Sequence, residues 1–365
     1  MTIPFTPVVK ELPASTPFVG PETLERQHSR QFKARIGANE SAFGISPKAL
    51  RAMADSLSHS CWYADPENYE LREALAQKHG VNMDEIVVDA GIDSLLGLTV
   101  RMLVPQGGVA VTSLGAYPTF NYHVAGFGAT LQTVPYNGFH EDPDALLHAT
   151  RLHNAPLVYF ANPDNPMGTW HDANTVSRLI DNVPDNTILA LDEAYIEFAD
   201  TDIAPPIDTG NRGVIRYRTF SKAYGMAGQR IAYAIAHRDI ISGFNKIRNH
   251  FGINRVAQIG ALASVQDEAF LPEVRSQVAK ARQQVMDFAQ QRGLYAEPSY
   301  TNFVALDLQT QERASAMIQH LASQAVFMRM PGAEPLNRCI RVGLGSAAEF
   351  ELFAKAFDDG YGSLP

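Results

Sequence analysis

With 365 residues and a mass of 40.0 kDa, the chain has room for two domains, or for one large domain with a smaller companion. A net charge of -9 and a pI near 5.7 argue against a general nucleic-acid or anionic-membrane partner. The two cysteines, Cys61 and Cys339, lie far apart and outside any CxxC pattern, which argues against a disulfide scaffold or a structural zinc site. No window approaches the ~20 apolar residues of a membrane span. The opening MTIPFTPVVKELPASTPFVGP lacks the basic and apolar runs of a signal peptide, so a soluble, cytoplasmic protein is expected.

In chain order, the first thirty-odd residues carry several prolines and little periodicity, and read as an extended arm. Helical spacing follows in SPKALRAMADSL and in NYELREALAQKHG, the latter closed by Gly80. From residue 86 short β-branched runs alternate with helical segments. Strands are expected at EIVVDAG, GVAVTSL, ATLQTVPY, PLVYFANP, TILALDEAY, VIRYRTFS and RIAYAIA. Runs apolar on both faces predict an α/β fold, a mainly parallel seven-stranded sheet between helices. After residue 240 the pattern changes. A helix over roughly 267–291 leads to TNFVALDL, ERASAMIQHLASQ, VFMRM, CIRVGLG and a last helix from SAAEFELFAKAF, which predicts a smaller α+β domain. The expected division is 1–50 for the arm and part of the small domain, 51–265 for the large domain and 266–365 for the small C-terminal domain. There is no internal repeat. Neither GxGxxG after the first strand nor GxxxxGK[ST] is present.

Ligands of an α/β sheet bind beyond the carboxyl ends of its strands. Four polar segments fall at such ends: Gly91-Ile92-Asp93-Ser94, Asn162 to Gly168, Asp192-Glu193-Ala194-Tyr195 and Ser221-Lys222. Any one alone reads as an ordinary turn or cap, but together, in this order, they fit pyridoxal-phosphate chemistry. That cofactor is an aldehyde and needs a lysine amine for a Schiff base. Lys222 is one of only 8 lysines beside 22 arginines, in a stretch poor in other charge. Burial and a neighbouring cation such as Arg230 favour its neutral amine. The pyridine nitrogen needs a buried carboxylate, Asp192. The ring oxygen needs donors, the Asn165 amide and the Tyr195 hydroxyl. The phosphate needs backbone N–H groups at a helix start, from Gly91, Ile92 and Asp93, with Thr219, Ser221 and Arg230. Gly225 and Gly228 are expected to allow close backbone packing beside it.

These segments resemble the fold-type I aminotransferases of class I/II, most closely the histidinol-phosphate aminotransferase branch. The resemblance rests on Asn162–Gly168 (Asn-Pro-x-Asn-Pro-x-Gly), Asp192–Tyr195 (Asp-Glu-Ala-Tyr) and Ser221–Arg230. Tyr63–Pro66 and Leu71–Ala76 add to it, and it runs from about residue 36 to the last helix. It implies a homodimer with active sites at the subunit interface, Tyr63 reaching the partner's cofactor phosphate. It further implies Tyr117 stacking on the pyridine ring, Arg341 gripping the substrate α-carboxylate, Arg329 at the substrate's distal end, and Asn39 in the substrate site. Small-molecule amino acids and 2-oxo acids are the implied partners, with no nucleic acid and no membrane.

Four positions depart from the family's pattern: Phe18 where a tyrosine is common, Ser41-Ala42 after Asn39-Glu40, Ser94 after Asp93, and Met167. Phe18 bears on whether the substrate is phosphorylated. Other readings are an aromatic or other small amino-acid aminotransferase and a decarboxylase of the threonine-phosphate type. A cofactor-binding regulatory module would need a fused helix-turn-helix, and a nicotinamide dehydrogenase lacks its glycine fingerprint. The eleven histidines, among them His28, His59, His79 and His123, form no HExxH motif, and no metal is assigned.

Overall fold

The computed structural model describes residues 3–14, 19–199 and 203–365, with the backbone alone at His28. Phe18 lies outside the described residues. Among the described residues twelve strands appear in chain order: β1 (Ala34–Arg35), β2 (Ile86–Asp89), β3 (Val109–Ser113), β4 (Thr130–Val134), β5 (Leu157–Ala161), β6 (Ile188–Asp192), β7 (Val214–Thr219), β8 (Ala232–Ala236), β9 (Tyr295–Ala296), β10 (Phe303–Asp307), β11 (Val326–Phe327) and β12 (Cys339–Gly343). Seven of them, β2 to β8, form the central sheet in the order β2-β8-β7-β6-β5-β3-β4. These are the seven strands expected from sequence. All neighbouring pairs are parallel except those of β8, which runs antiparallel to β2 and to β7.

Period-two alternation sorts the side chains onto two covered faces. Tyr159, Ala161, Ala190, Ile215 and Tyr217 join the core beneath the helix Ile92–Leu103, with Leu95, Leu96 and Val100. Val158, Phe160, Leu189, Leu191 and Val214 face the other way, against Leu146 and Leu147 of Pro143–Leu152 and Val176 and Leu179 of Ala173–Asn182. A third cluster fills the β2/β8 end under Pro47–Ser56, Tyr69–His79 and Arg255–Val265. Local caps fix the ends of two of these helices. Gly80 closes its helix in the left-handed region, at φ 66°. Ser46 caps the N–H groups of Lys48 and Ala49.

Beyond residue 270 the helices Phe270–Gln291, Gln311–Ser323 and Ala347–Tyr361 pack with an antiparallel sheet of order β12-β10-β9. Strand β1 pairs in parallel with β11, so residues 34–35 of the first segment are built into this C-terminal layer. The extended-arm expectation for that segment needs correction, since it contains the helices Pro7–Glu11 and Pro21–His28. Each begins on a proline at its first turn, where no N–H is required and φ is already helical. Two of the prolines that suggested extension, Pro7 and Pro21, are helix starters. No described helix is long and apolar enough to cross a membrane.

Candidate active site

Because β5, β6 and β7 are parallel neighbours, their carboxyl ends lie on one edge of the sheet. Asn162, Asp192 and Thr219 with Lys222 therefore emerge side by side. Strand β8 runs the opposite way, so its amino end meets the same edge and Arg230 arrives there too. Strand direction thus gathers segments up to 68 residues apart in sequence, from Asn162 to Arg230.

The Lys222 amine donates to the Asn39 carbonyl at 3.2 Å and sits 5.5 Å from the centre of the Tyr195 ring. Asn39 adopts φ 55°, its amide donates to the Tyr195 hydroxyl at 3.0 Å, and its Oδ1 is buried with no hydrogen-bond partner among the described residues. Asn302 holds this turn in place, its amide donating to the carbonyls of Asn39 and Glu40, both at 3.1 Å.

Asp192 is buried, and burial pushes its carboxyl up to about 6. Two donors oppose the shift. The Tyr159 hydroxyl reaches Oδ2 at 2.7 Å and the Ala194 N–H reaches Oδ1 at 2.9 Å. Of the nearby charges, Asp93 raises the carboxyl further and Lys222 lowers it.

A phosphate-sized cradle lies at the start of Ile92–Leu103. Gly91 is its N-cap, with φ 89°, and an added Cβ would stand 2.5 Å from Arg230 Nη2. Only glycine leaves that guanidinium its place. Arg230 reaches Ser221 Oγ at 3.3 Å and Asp93 Oδ2 at 3.5 Å, and Thr219 Oγ1 accepts from the Ser221 N–H at 3.0 Å. The Tyr117 hydroxyl donates to Asp93 Oδ1 at 2.7 Å, and burial raises its phenol further above its ordinary value. Gly225 does pack closely, since an added Cβ would lie 1.8 Å from the Gly44 carbonyl oxygen. Gly228 does not: nothing stands within 4 Å of its added Cβ, because it lies on the outer side of the turn.

On the opposite wall Arg341 Nη1 donates to Asn165 Oδ1 at 2.6 Å, while its Nε is buried without a partner among the described residues. Burial lowers this guanidinium to about 10. Arg329 pairs backbone to backbone with Arg341 across a bridge and donates from Nη2 to the Val19 carbonyl at 2.8 Å. Tyr63 stands apart from this constellation. It is 79% exposed and its ring lies against Phe251 at 4.8 Å, beside the exposed Trp62 and Tyr69.

The chain thus brings together Gly91, Ile92, Asp93, Tyr117, Asn165, Asp192, Tyr195, Thr219, Ser221, Lys222, Arg230, Asn39, Arg329 and Arg341, and leaves Tyr63 on the surface. Sequence reasoning passed over Tyr159 and Asn302. The first read as a core strand residue and the second as the start of a strand, and neither carries a local signal. Two departures from the family pattern have plain local partners. Ser94 Oγ donates to Asp89 at 3.2 Å, and Met167 is buried with Tyr136, Leu336 and Cys339.

The residues suit pyridoxal phosphate on these observations: a buried carboxylate without an ion-pair partner among the described residues, a lysine amine close enough to act on it by charge, and a helix start at a glycine beside an arginine. Residues 33–357 match the family model for aminotransferase class I and II. A histidinol-phosphate aminotransferase from Desulfotalea psychrophila is 31% identical over 96% of this chain and 93% of its own length. Another from Roseiflexus castenholzii is 33% identical over 93% of each chain. The crystal structure of histidinol-phosphate aminotransferase from Sinorhizobium meliloti in complex with pyridoxal-5′-phosphate is 47% identical, with a TM-score of 0.96 over 100% of this chain and 99% of that one. L-threonine-O-3-phosphate decarboxylase from Porphyromonas gingivalis, at 19% identity and a TM-score of 0.75, shares the fold alone. By family model, by sequence and by fold, the chain belongs to the class I and II aminotransferases.

Proposed function

We propose that this aminotransferase works with pyridoxal 5′-phosphate on Lys222 and moves an amino group between histidinol phosphate and a 2-oxo acid. The observation that carries the reading is the Lys222 amine placed close enough to the buried Asp192 carboxylate to favour its anion, on the sheet edge where Arg341 also meets Asn165. Lys222 would hold the cofactor's carbonyl carbon and Asp192 its ring nitrogen. Asn165 and Tyr195 would donate to the ring oxygen, with Tyr117 against the ring face. The phosphate would take the N–H groups of Gly91, Ile92 and Asp93, the hydroxyls of Thr219 and Ser221, and Arg230. The cofactor supplies an electron sink for the bond broken at the substrate's α-carbon.

The chain's own residues do the rest. Arg341 would grip the substrate α-carboxylate with its guanidinium fork. Arg329, half-buried nearby, faces the distal end. The Lys222 amine would act as general base and then general acid, holding the proton taken from the substrate α-carbon until it is returned. Asp192, buried and held by two donors, keeps the ring nitrogen's proton in place.

Three coarser expectations belong to the same reading. The division at residues 1–50, 51–265 and 266–365 is supported by the separate central and C-terminal sheets and by the β1–β11 pairing. A homodimer, with Tyr63 completing the partner's site, is supported by that tyrosine's exposure among Trp62, Tyr69 and Phe251. The setting would be cytoplasmic, with no nucleic acid and no membrane as partner.

A panel of amino donors with 2-oxoglutarate tests the substrate. Histidinol phosphate is expected to exceed unphosphorylated amino acids in kcat/KM by at least about a hundredfold, as a site built for a charged group rejects its absence. Activity confined to unphosphorylated donors overturns the substrate assignment. Lys222→Ala is expected to abolish transamination and the visible absorbance of the lysine-bound cofactor, and retained turnover overturns the mechanism.

A further inference from the structure

Tyr159 carries no role in the reading above, yet it makes the shortest side-chain contact to Asp192. It lies on β5, two residues before the strand's end, and Ala161 stands opposite Asp192 in the β5–β6 register. Tyr159 and Asp192 therefore share one face of the sheet as diagonal neighbours, within reach of a long side chain. The phenol ring is fixed by Phe120, stacked at 4.9 Å with the planes 20° apart, and both rings are buried. Its hydroxyl has one hydrogen bond, to Asp192 Oδ2 at 2.7 Å. The other carboxylate oxygen takes the Ala194 N–H at 2.9 Å.

We propose that Tyr159 is a positioning residue for the cofactor: it fixes the plane of the Asp192 carboxylate and holds that carboxylate ionised against burial. The carboxylate's two donors come from different elements, a strand side chain and a turn backbone, so its rotation is blocked from both sides. Its other charged neighbours are few. Lys222 favours the anion, whereas Asp93, and at longer range Glu141, oppose it. With Lys222 engaged by the cofactor, its charge is no longer a fixed support, and the phenol is the side-chain donor that remains beside the Ala194 N–H. The inference rests on the pyridoxal-phosphate reading of the site.

Tyr159→Phe deletes one oxygen and keeps the ring against Phe120, so the fold is expected to stay intact by circular dichroism and thermal melting. A carboxylate stripped of this donor is more basic and draws the proton back from the ring nitrogen. A ring nitrogen without its proton withdraws fewer electrons, which makes the nitrogen shared with Lys222 more basic. Titration of the visible band in the holoenzyme is therefore expected to give a higher apparent pKa in the variant. Reconstitution of the apo-protein should show cofactor binding about tenfold weaker, the scale of a lost hydrogen bond to a charged group. Asp192→Glu, which keeps the charge but moves it off the phenol, should shift the band in the same direction. A folded Tyr159→Phe protein with the parent's band titration and cofactor affinity overturns the proposal. Absence of any visible band in the parent, or a band that survives Lys222→Ala, would instead overturn the cofactor reading.

Discussion

Asp192 and Glu193 are consecutive carboxylates at the end of β6, both buried, and they have opposite fates. Alternation sends them to opposite sides of the sheet edge. Glu193 meets Arg216 at 2.6 Å and Arg218 at 3.0 Å, both from β7. Burial alone would raise its carboxyl, but Arg218 and Arg216 outweigh it and bring it below the usual carboxylate range. Asp192 has hydrogen-bond donors and no ion-pair partner among the described residues, and burial wins. The difference teaches where a site is. A charge satisfied by its own protein is architecture, and a charge left short of a counter-ion is prepared for something else.

Exchanging the two carboxylates for amides breaks the comparison most sharply. Glu193→Gln leaves Arg216, itself almost wholly buried, short of its anion, and is expected to cost about 3–5 kcal/mol of stability. A fall in urea midpoint with cofactor affinity unchanged in the surviving folded fraction is the expected result. Asp192→Asn is expected to do the reverse, with kcat down at least about a hundredfold and the thermal midpoint of the apo-protein little altered. If both variants lose stability alike, Asp192 is as structural as its neighbour.

Much of this contrast was legible before the fold was seen. The seven strands of the central sheet are short segments rich in apolar residues and bounded by turn residues. The polar segments at their ends follow the one rule that parallel strands impose. What could not be read is whatever register decides. Tyr159 reaches Asp192 only because Ala161 pairs with Asp192, and Asn302 reaches the Asn39 turn across some 260 residues of chain. Neither leaves a periodic or compositional trace. The arm failed for a different reason, because proline has two meanings, breaker inside a helix and starter at its first turn.

Two glycines with positive φ carry the same contrast at smaller scale. Gly225 packs against the backbone of Gly44, which cannot yield, and Gly91 against the end of the Arg230 side chain, which can. Gly225→Ala is therefore expected to lower stability by about 2–3 kcal/mol, combining a left-handed residue with a backbone clash. Gly91→Ala should cost about 1 kcal/mol, with the main loss in cofactor affinity as Arg230 is displaced. Equal losses of affinity in both would mean that Gly225 also shapes the phosphate cradle.

The smallest effect expected tests a third buried carboxylate, which has neither arginines nor an open pocket. Glu141 accepts from Ser113 Oγ at 2.6 Å and the Ala161 N–H at 2.9 Å, and Asp164, also buried, is close enough to repel it. Burial first, then that repulsion, raises Glu141 above its ordinary value, and burial raises Asp164 to about 7. A carboxyl raised on folding binds its proton more tightly in the folded state. Stability from this pair is therefore greatest at low pH, and it declines from the unfolded values near ~4 up through the raised folded ones. Glu141→Gln cannot ionise and leaves Asp164 without its repeller. Relative to the parent, the variant is expected to gain about 1 kcal/mol between pH 5 and pH 8, read as a flatter dependence of thermal midpoint on pH. A parallel offset of the two curves would mean that Glu141 keeps one protonation state across that range, with Asp164 alone responsible for any decline.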